Sequence, residues 1–152
     1  MRVSARTDYA LRALLELAAA APDGQLRAET IARAQGMPPK YLENLLADLR
    51  RARLVVSQRG KEGGYRLARS ARDISLADVI RAMEGPLAGV RDLAPEDVAY
   101  GGAATTLRDA WIALRASMRA VLEVTTLADI VAGRLPASVA RLLDDPDAWK
   151  RR

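Results

Sequence analysis

The chain has 152 residues, of which 50% are hydrophobic, and a formal net charge of +5 at pH 7. This length and composition predict one ordinary domain, or a small domain with an appended element, with a real hydrophobic core. The sequence contains no cysteine and no histidine. Thiol nucleophiles, disulfides, zinc–thiolate sites and cysteine-bound iron–sulfur clusters are therefore excluded, and the commonest general base is absent, which argues against an enzyme.

Positive charge is concentrated in the first half of the chain. Residues 1–72 carry 14 Lys/Arg and 7 Asp/Glu, a net charge of +7, whereas residues 73–152 have a net charge of −2. A basic half of this kind predicts a surface for a polyanion such as nucleic acid, with a solvated basic surface as the alternative. Charges from Arg2 to Glu16 interrupt every apolar run at the start of the sequence. We therefore expect a cytoplasmic protein with no signal peptide and no membrane partner.

Three helices are predicted in the first third of the chain. Apolar periodicity indicates helices over about 7–20, 28–35 and 39–52, and Gly36 is placed for a left-handed cap between the second and the third. Two short helices joined by a glycine-containing turn of three or four residues are typical of a helix-turn-helix. The third helix would then be the one that enters the major groove of DNA.

The third predicted helix is amphipathic. Its four leucines lie on one face, and Lys40, Asn44 and Arg51 lie on the opposite face. Asparagine can pair bidentately with adenine in the major groove, and arginines late in the helix can reach phosphates. A surface helix with a solvated polar side is the alternative interpretation of this pattern taken alone.

A glycine-rich hairpin is predicted directly after this helix. Alternating residues indicate strands over 54–58 and 65–68, and the tip between them, RGKEGG, carries Arg59 and Lys61. A thin cationic hairpin after a helix-turn-helix predicts a wing that lays arginine into a minor groove. A glycine-rich loop taken alone is more often only a tight turn.

Further helices are predicted in the second half of the chain. A helix over about 75–84 is followed by a loop over 85–102 and a long helix, and residues 126–133 indicate a short helix capped by Thr126. Apolar residues of the long helix step alternately by four and three positions, at Leu107, Trp111, Leu114, Met118, Val121 and Thr125. This heptad seam predicts packing against the rest of the chain or against a second copy, and we favour the dimer.

The order of these elements resembles that of the Rrf-two (BadM-type) family of bacterial winged helix-turn-helix transcriptional regulators. The resemblance covers about residues 1–133 and rests on three segments, TDYALRALLELA at 7–18, PPKYLENLLADLRRARLVVSQRGKEGGYRLAR at 38–69 and ISLADVIRAMEG at 74–85. It implies a mainly α fold with a small antiparallel β wing and a long C-terminal dimerisation helix. The expected parts are a DNA-binding domain, a connecting or sensor loop, a dimerisation helix with a short following helix, and a tail, over 1–84, 85–102, 103–133 and 134–152.

The resemblance also implies a function. It points to a homodimeric, sequence-specific DNA-binding transcriptional regulator, usually a repressor, that reads a pseudo-palindromic operator in double-stranded DNA. Tyr41, Glu43 and Asn44 fall where relatives read or buttress the major groove, and Arg59 falls where they place the minor-groove arginine. The wing tip reads GKEGG where a GPGGG-like tip is more usual in the family. The expected DNA-binding residues are Arg2, Arg6, Lys40, Tyr41, Glu43, Asn44, Arg50, Arg51, Arg59, Lys61, Gly63, Gly64 and Tyr65.

The means of sensing is where this chain departs from cluster-binding relatives, which carry three cysteines in the loop before the long helix. With no cysteine in the sequence, we expect no iron–sulfur cluster and no other cofactor. Asp8 is interpreted as structural and paired with Arg12 at i+4. A small-molecule or protein effector is expected near Arg91, Tyr100 and Trp111, with simple aromatic packing or no signal as the alternatives. The alternative function is a winged-helix adaptor that binds an acidic protein partner.

Overall fold

The computed structural model describes residues 2–21, 24–60 and 63–151 of the chain. Its helices and strands are, in chain order, α1 (Ala5–Ala20), α2 (Ala28–Gln35), α3 (Pro39–Arg51), β1 (Val55–Gln58), β2 (Gly64–Leu67), α4 (Leu76–Glu84), α5 (Leu107–Leu122), α6 (Leu127–Val131) and α7 (Ala137–Ala140). The predicted fold class, mainly helical with a small antiparallel wing, is confirmed. Lys61, which is expected to contact phosphate, lies outside the described residues.

The core of the molecule is built around α1. This helix packs against α2, α3, α4, α6 and β2. Its small and branched residues Ala10, Ala13, Leu14 and Leu17 are all buried, so neighbouring helices can approach closely. The four leucines of α3 are buried as the sequence predicts. The hydrophobic faces of the helix-turn-helix therefore meet on α1, and the polar face of α3 is left outward.

The turn between α2 and α3 has the geometry that its glycine suggests. Gly36 has φ of 62°, in the left-handed region that side chains rarely adopt. The next amide, of Met37, donates to the carbonyl of Ala32 at 2.9 Å, which closes the helix end. Pro39 then begins α3, where a missing amide proton costs nothing. The two helices are thus joined without a flexible linker.

The wing is anchored at its base and free toward its tip. Its two strands pair antiparallel with Val55 opposite Leu67, both buried, and Gln58 opposite Gly64. Leu26 adds a third piece of extended chain, because it exchanges two backbone hydrogen bonds of 2.9 and 2.8 Å with Tyr65. A Cβ on Gly64 would lie 2.8 Å from the Leu26 carbonyl oxygen. The glycine at this position is therefore required by the close approach of the two chains.

The chain after α5 returns to the core. Leu127 of α6 is fully buried, and its amide donates to the carbonyl of Ile74 at 3.0 Å. The Leu76 amide donates to Thr125 in the same way, at 2.9 Å. The predicted extension of the α5 seam to Thr125 is wrong, because the helix ends at Leu122 and Thr125 is buried in this junction. The short helix that the sequence analysis groups with the dimerisation helix thus packs on the winged-helix core.

Both predicted helix caps at this junction form. Ser75 and Asp78 make a reciprocal capping box at the start of α4, and Thr126 and Asp129 make one at the start of α6. The hydrogen bonds that the Thr126 side chain and backbone donate to Asp129 hold the pKa of that carboxyl below its ordinary value. The two caps fix where each helix begins, and an isolated backbone bridge between Ser75 and Thr126 joins them.

The C-terminal residues lie mostly on the surface. After α7 the chain forms two short 3-10 turns, Arg141–Asp144 and Pro146–Trp149, whose side chains are exposed. Val139 is buried and attaches this region to the rest. None of the helices in the ranges described above is long and apolar enough to cross a membrane.

Candidate nucleic-acid interface

The recognition helix α3 presents a polar face to solvent. Lys40, Tyr41, Glu43 and Asn44 are all exposed at its first two turns, whereas the leucines interleaved with them are buried. Lys40 and Asn44 are four residues apart and therefore lie on the same side of the helix. A cation and a carboxamide projecting together from the start of a helix are suited to hydrogen bonding with base edges in a major groove.

A cleft of about 480 Å³ separates this helix from the wing. It brings together a subset of the residues predicted to bind DNA, namely Glu43, Arg50, Arg59, Gly63, Gly64 and Tyr65. Arg27 and Glu29, at the start of α2, line it as well. The Arg50 guanidinium donates to the Ser57 hydroxyl at 3.2 Å, which links α3 to β1 across the cleft. The helix and the wing thus share one concave cationic surface.

Tyr41 is supported from behind by the first helix. Its ring meets that of Tyr9 edge to face, with centroids 5.6 Å apart and planes at 69°. The guanidinium of Arg12 lies 5.3 Å from the Tyr9 centroid, and Arg12 also pairs with Asp8 as predicted, at 3.4 Å. Arg12 reaches α2 as well, donating to the Gln35 side chain at 2.8 Å. This stack of rings and cation buttresses the start of the recognition helix.

Two of the arginines expected at phosphates are bound to a carboxylate of the recognition helix. Arg6 pairs with Asp48 at 2.5 Å, and Arg51 pairs with the other oxygen of the same carboxylate. The Arg51 and Arg6 hydrogen bonds hold the pKa of Asp48 below its ordinary value of 3.8. Arg6 also donates to the carbonyl of Met83 at 3.4 Å. Sequence reasoning missed Asp48, whose side chain ties α3 to α1.

We expect Asp48→Asn to lower the free energy of unfolding by about 1 kcal/mol at neutral pH, because two ion pairs lose their shared anion. A lowered folded-state pKa stabilises the fold above the unfolded pKa, and this contribution disappears as the pH falls through the folded value. The difference between wild type and variant should therefore vanish in acid below pH 3.8. Urea titrations at a series of pH values measure it.

The matched control for this variant is Asp97→Asn. Asp97 is exposed, and its carboxylate makes no ion pair within the part of the chain that the structure describes. The control should change the free energy of unfolding by less than about 0.5 kcal/mol at every pH. A wild-type-like Asp48→Asn would contradict the role of this carboxylate.

A second network at the start of α1 involves residues distant in sequence. Glu84, the last residue of α4, accepts hydrogen bonds from the Ser4 hydroxyl and the Thr7 hydroxyl, both at 2.5 Å. These two donors lower the pKa of Glu84. The network fixes the N-terminus of α1 against α4, and Arg2 is exposed just before it. The structure does not place Arg2 in the cleft between α3 and the wing.

Comparison with known proteins assigns the chain to a family. A sequence model described as "Rrf2: Iron-dependent Transcriptional regulator" matches residues 3–133. The chain belongs to the Rrf-two family. This match spans every element from α1 to α6.

Relatives of similar length support the assignment. The chain is 54% identical over 145 residues to an HTH-type transcriptional regulator of Mycobacterium tuberculosis, which covers 95% of this chain and 90% of the relative. It is 36% identical over 130 residues to the regulator CymR of Bacillus subtilis, covering 86% and 89% of the two chains.

Solved structures of the family share the fold. The structure of CymR, described as the global cysteine regulator of B. subtilis, matches with a TM-score of 0.75 and 33% identity over 88% of this chain and 98% of that one. IscR of T. potens matches with a TM-score of 0.69 and 32% identity, covering 100% and 93%. The Rrf-two chain studied here is therefore a DNA-binding transcriptional regulator and not an enzyme.

The long helix α5 of this Rrf-two protein has an apolar face without a partner in the single chain. None of its 16 residues is buried. At about 100° per residue its four charged residues fall on one side, and the rest of the circumference is uncharged. Met118 and Leu122 cover the residues Ala77, Ile80 and Leu87 of the same chain. The predicted seam residues Leu107 and Leu114 are exposed instead, whereas Trp111 and Val121 are half-buried.

The three residues of the predicted effector region contact one another. The indole Nε1 of Trp111 donates to the Tyr100 hydroxyl at 3.0 Å, and the Arg91 guanidinium lies 5.9 Å from the centre of the Tyr100 ring. An adjacent hollow of about 330 Å³ is lined by Trp111 and other residues that are all uncharged. Arg91 and Tyr100 do not line this hollow, so the three residues do not form a common polar pocket.

No group of three or more His, Cys, Asp or Glu residues is arranged to hold a metal ion in the residues 2–21, 24–60 and 63–151. The loop before α5, where cluster-binding relatives carry their cysteines, is attached to α5 by a different interaction. Glu96 pairs with Arg115 at 2.6 Å, and this hydrogen bond holds the pKa of Glu96 below its ordinary value.

Proposed function

We propose that this Rrf-two protein is a homodimeric repressor that recognises a specific pseudo-palindromic sequence in double-stranded DNA without an iron–sulfur cluster. The observation that carries the proposal is the shared cationic cleft between the recognition helix and the wing, which places Arg50 and Arg59 in one concave surface. Phosphate contacts by cations of the basic half would supply affinity that falls with salt, and contacts to bases would supply discrimination.

We assign discrimination to the two surfaces that can reach base edges. Lys40 and Asn44 at the start of α3 would contact the major groove, with Tyr41 and Glu43 beside them. Arg59 on the wing would lie in a minor groove, where a narrow A·T tract has a more negative potential. Arg6 and Arg51 would act in a different way, because Asp48 already binds them and phosphate would have to compete with that carboxylate.

The dimer is supported by the uncharged face of α5. A 16-residue helix with no buried residue exposes more apolar surface than a helix of a monomer usually does. Pairing of two α5 helices would bury Leu107, Leu114 and the alanines between them, and it would place two recognition helices on one duplex. Residues 2–84 would then act as the DNA-binding part and α5 as the dimerisation element.

Independence from an iron–sulfur cluster is supported by the donor set. Clusters of this type are held by thiolates, and the sequence has no cysteine. The family description mentions iron, but the carboxylates at the corresponding loop are hard ligands, and Glu96 is already paired with Arg115. We expect protein purified anaerobically to carry no cluster, as measured by its visible absorption and its sulfide content.

The proposal is tested by selecting fragments of the source genome with purified protein and titrating the recovered site by fluorescence anisotropy. We expect a shared two-fold motif and an affinity for it at least about 10³-fold above that for scrambled duplex. Run-off transcription from a promoter that contains the site should decrease when the protein is added. Failure to select any sequence, together with binding to an acidic protein that survives salt, would support the adaptor function instead.

Arg59→Ala should weaken binding to the selected operator by about 1–3 kcal/mol and relax preference at one A·T-rich position, because the arginine contacts base edges. The control is Arg141→Ala, which removes an exposed cation from the turn after α7 and should leave the affinity unchanged. Anisotropy on operator and scrambled duplexes measures both variants. Equal weakening on the two duplexes would show that Arg59 has no role in specificity.

A further inference from the structure

A second basic cleft lies on the other side of the wing base. It has a volume of about 700 Å³ and is enclosed by the end of α1, the end of β2 and the loop before α4, with Ala128 of α6 at its edge. It shares no lining residue with the cleft between α3 and the wing. The DNA-binding function proposed above makes no use of it.

Charge in this cleft has a single sign among the described residues. Arg66, Arg69 and Arg72 line it, and no carboxylate does. The cleft at the recognition helix differs, because Glu29 and Glu43 line it beside the arginines. Three guanidinium groups around one concave surface concentrate positive potential, so the cleft favours an anion.

The three arginines are in different states. Arg69 is held in place, because it pairs with Asp78 at 3.0 Å and donates to the carbonyl of Asp73 at 2.9 Å. Arg66 and Arg72 are exposed and make no ion pair within the ranges that the structure covers. Their forked donors are therefore available for the oxygens of a bound anion.

The remaining lining suits an organic phosphate better than a bare ion. The Ser70 hydroxyl accepts the Arg72 amide at 3.3 Å and keeps its own proton for donation to a ligand. Leu17, Leu67 and alanines supply an apolar wall opposite the arginines. The volume lies within the range of about 300–1,000 Å³ that is usual for small-molecule sites.

We propose that this cleft binds a small phosphorylated molecule, with Arg66 and Arg72 binding the phosphate oxygens and Ser70 donating to them. The site touches β2 of the wing and also α6, which follows the dimerisation helix. A ligand there contacts both the DNA-reading hairpin and the connection to α5. The effect on transcription rests on the proposed function, whereas binding of the ligand itself does not.

The test is isothermal titration calorimetry of the DNA-free protein with inorganic pyrophosphate at low ionic strength. We expect one site per protomer and an affinity that falls by about tenfold or more in the double variant Arg66→Gln/Arg72→Gln, because two charge-assisted contacts are lost. The matched control is Arg50→Gln/Arg59→Gln, which removes the same charge from the other cleft. This control should bind pyrophosphate within about threefold of wild type.

The outcomes separate the alternatives. An equal loss in both double variants, or no binding by the wild type, overturns the proposal. Pyrophosphate binding that is lost only in the Arg66/Arg72 variant supports it, provided that circular dichroism shows an unchanged thermal midpoint. If the wild type ignores pyrophosphate while the Arg66/Arg72 variant binds long operator duplexes less tightly than short ones, the cleft is a contact for flanking DNA and the proposal fails. Because no DNA is present in the calorimetry, its result does not depend on operator recognition.

Discussion

Replacing Leu127 with alanine is expected to lower the free energy of unfolding by about 2–5 kcal/mol. Leu127 is fully buried in the core that α1, α3 and α4 form, although it follows the dimerisation helix in sequence. Removal of its branched end leaves a cavity that the helices around it can fill only in part. Chemical denaturation monitored by far-ultraviolet circular dichroism measures the change.

The control for this variant lies on the same short helix. Val131 is 45% exposed, and Val131→Ala should change the free energy of unfolding by less than about 0.5 kcal/mol. A small effect of Leu127→Ala, similar to that of the control, would mean that α6 does not pack on the core in solution. The comparison therefore tests the position of the whole segment after α5.

Leu114→Arg is expected to convert the dimer to monomers and to weaken operator binding by about 100-fold or more, because a charge would have to be buried in an apolar interface. Leu114 is 44% exposed in the single chain and lies on the uncharged side of α5. A monomer presents one recognition helix to the duplex and loses the contribution of the second. Sedimentation equilibrium and anisotropy measure the two effects.

Ala116→Arg is the matched control for the dimer. Ala116 is exposed on the same helix and lies about 180° from Leu107, among the charged residues. The new arginine should leave both the mass and the operator affinity of the protein unchanged. A wild type that sediments as a monomer, or a Leu114→Arg variant that stays dimeric, would contradict the assignment of this face.

The elements predicted well from the sequence are those whose signals are local. The leucines of α3 repeat at helical spacing, Gly36 lies where a left-handed residue ends α2, and Ser75 precedes its capping partner by three residues. Each of these features is decided by neighbours a few positions away. The helix-turn-helix, the wing and the caps were therefore predictable without knowledge of the tertiary structure.

The features that the sequence did not predict all depend on contacts between distant positions. Glu84 accepts hydrogen bonds from Ser4 across 80 residues, and Asp48 binds Arg6 across 42. A lone carboxylate in a charged helix carries no sign of such a partner, since solvated carboxylates have the same pattern. The candidate site was likewise predicted only in part, because spacing alone did not show that Asp48 binds Arg6 and Arg51.

The effector prediction illustrates the same limit. Aromatic residues at Tyr100 and Trp111 have no helical or strand periodicity in common, so the sequence suggests only that they share a region. In the structure they satisfy each other's polar atoms, and the arginine-lined cleft is formed by β2, the loop after it and the end of α1. Only the fold brings those arginines beside α1 and α6.

The return of the chain to the core after α5 has a consequence for how binding sites are spaced. The backbone bonds of Thr125 and Leu127 to the start of α4, and the packing of α6 on α1, fix both the end of α5 and the recognition helix to one framework. If two copies pair through α5, the angle at which these helices cross would set the number of base pairs between half-sites. A relative with larger side chains along α5 would then read the same half-site at a different separation.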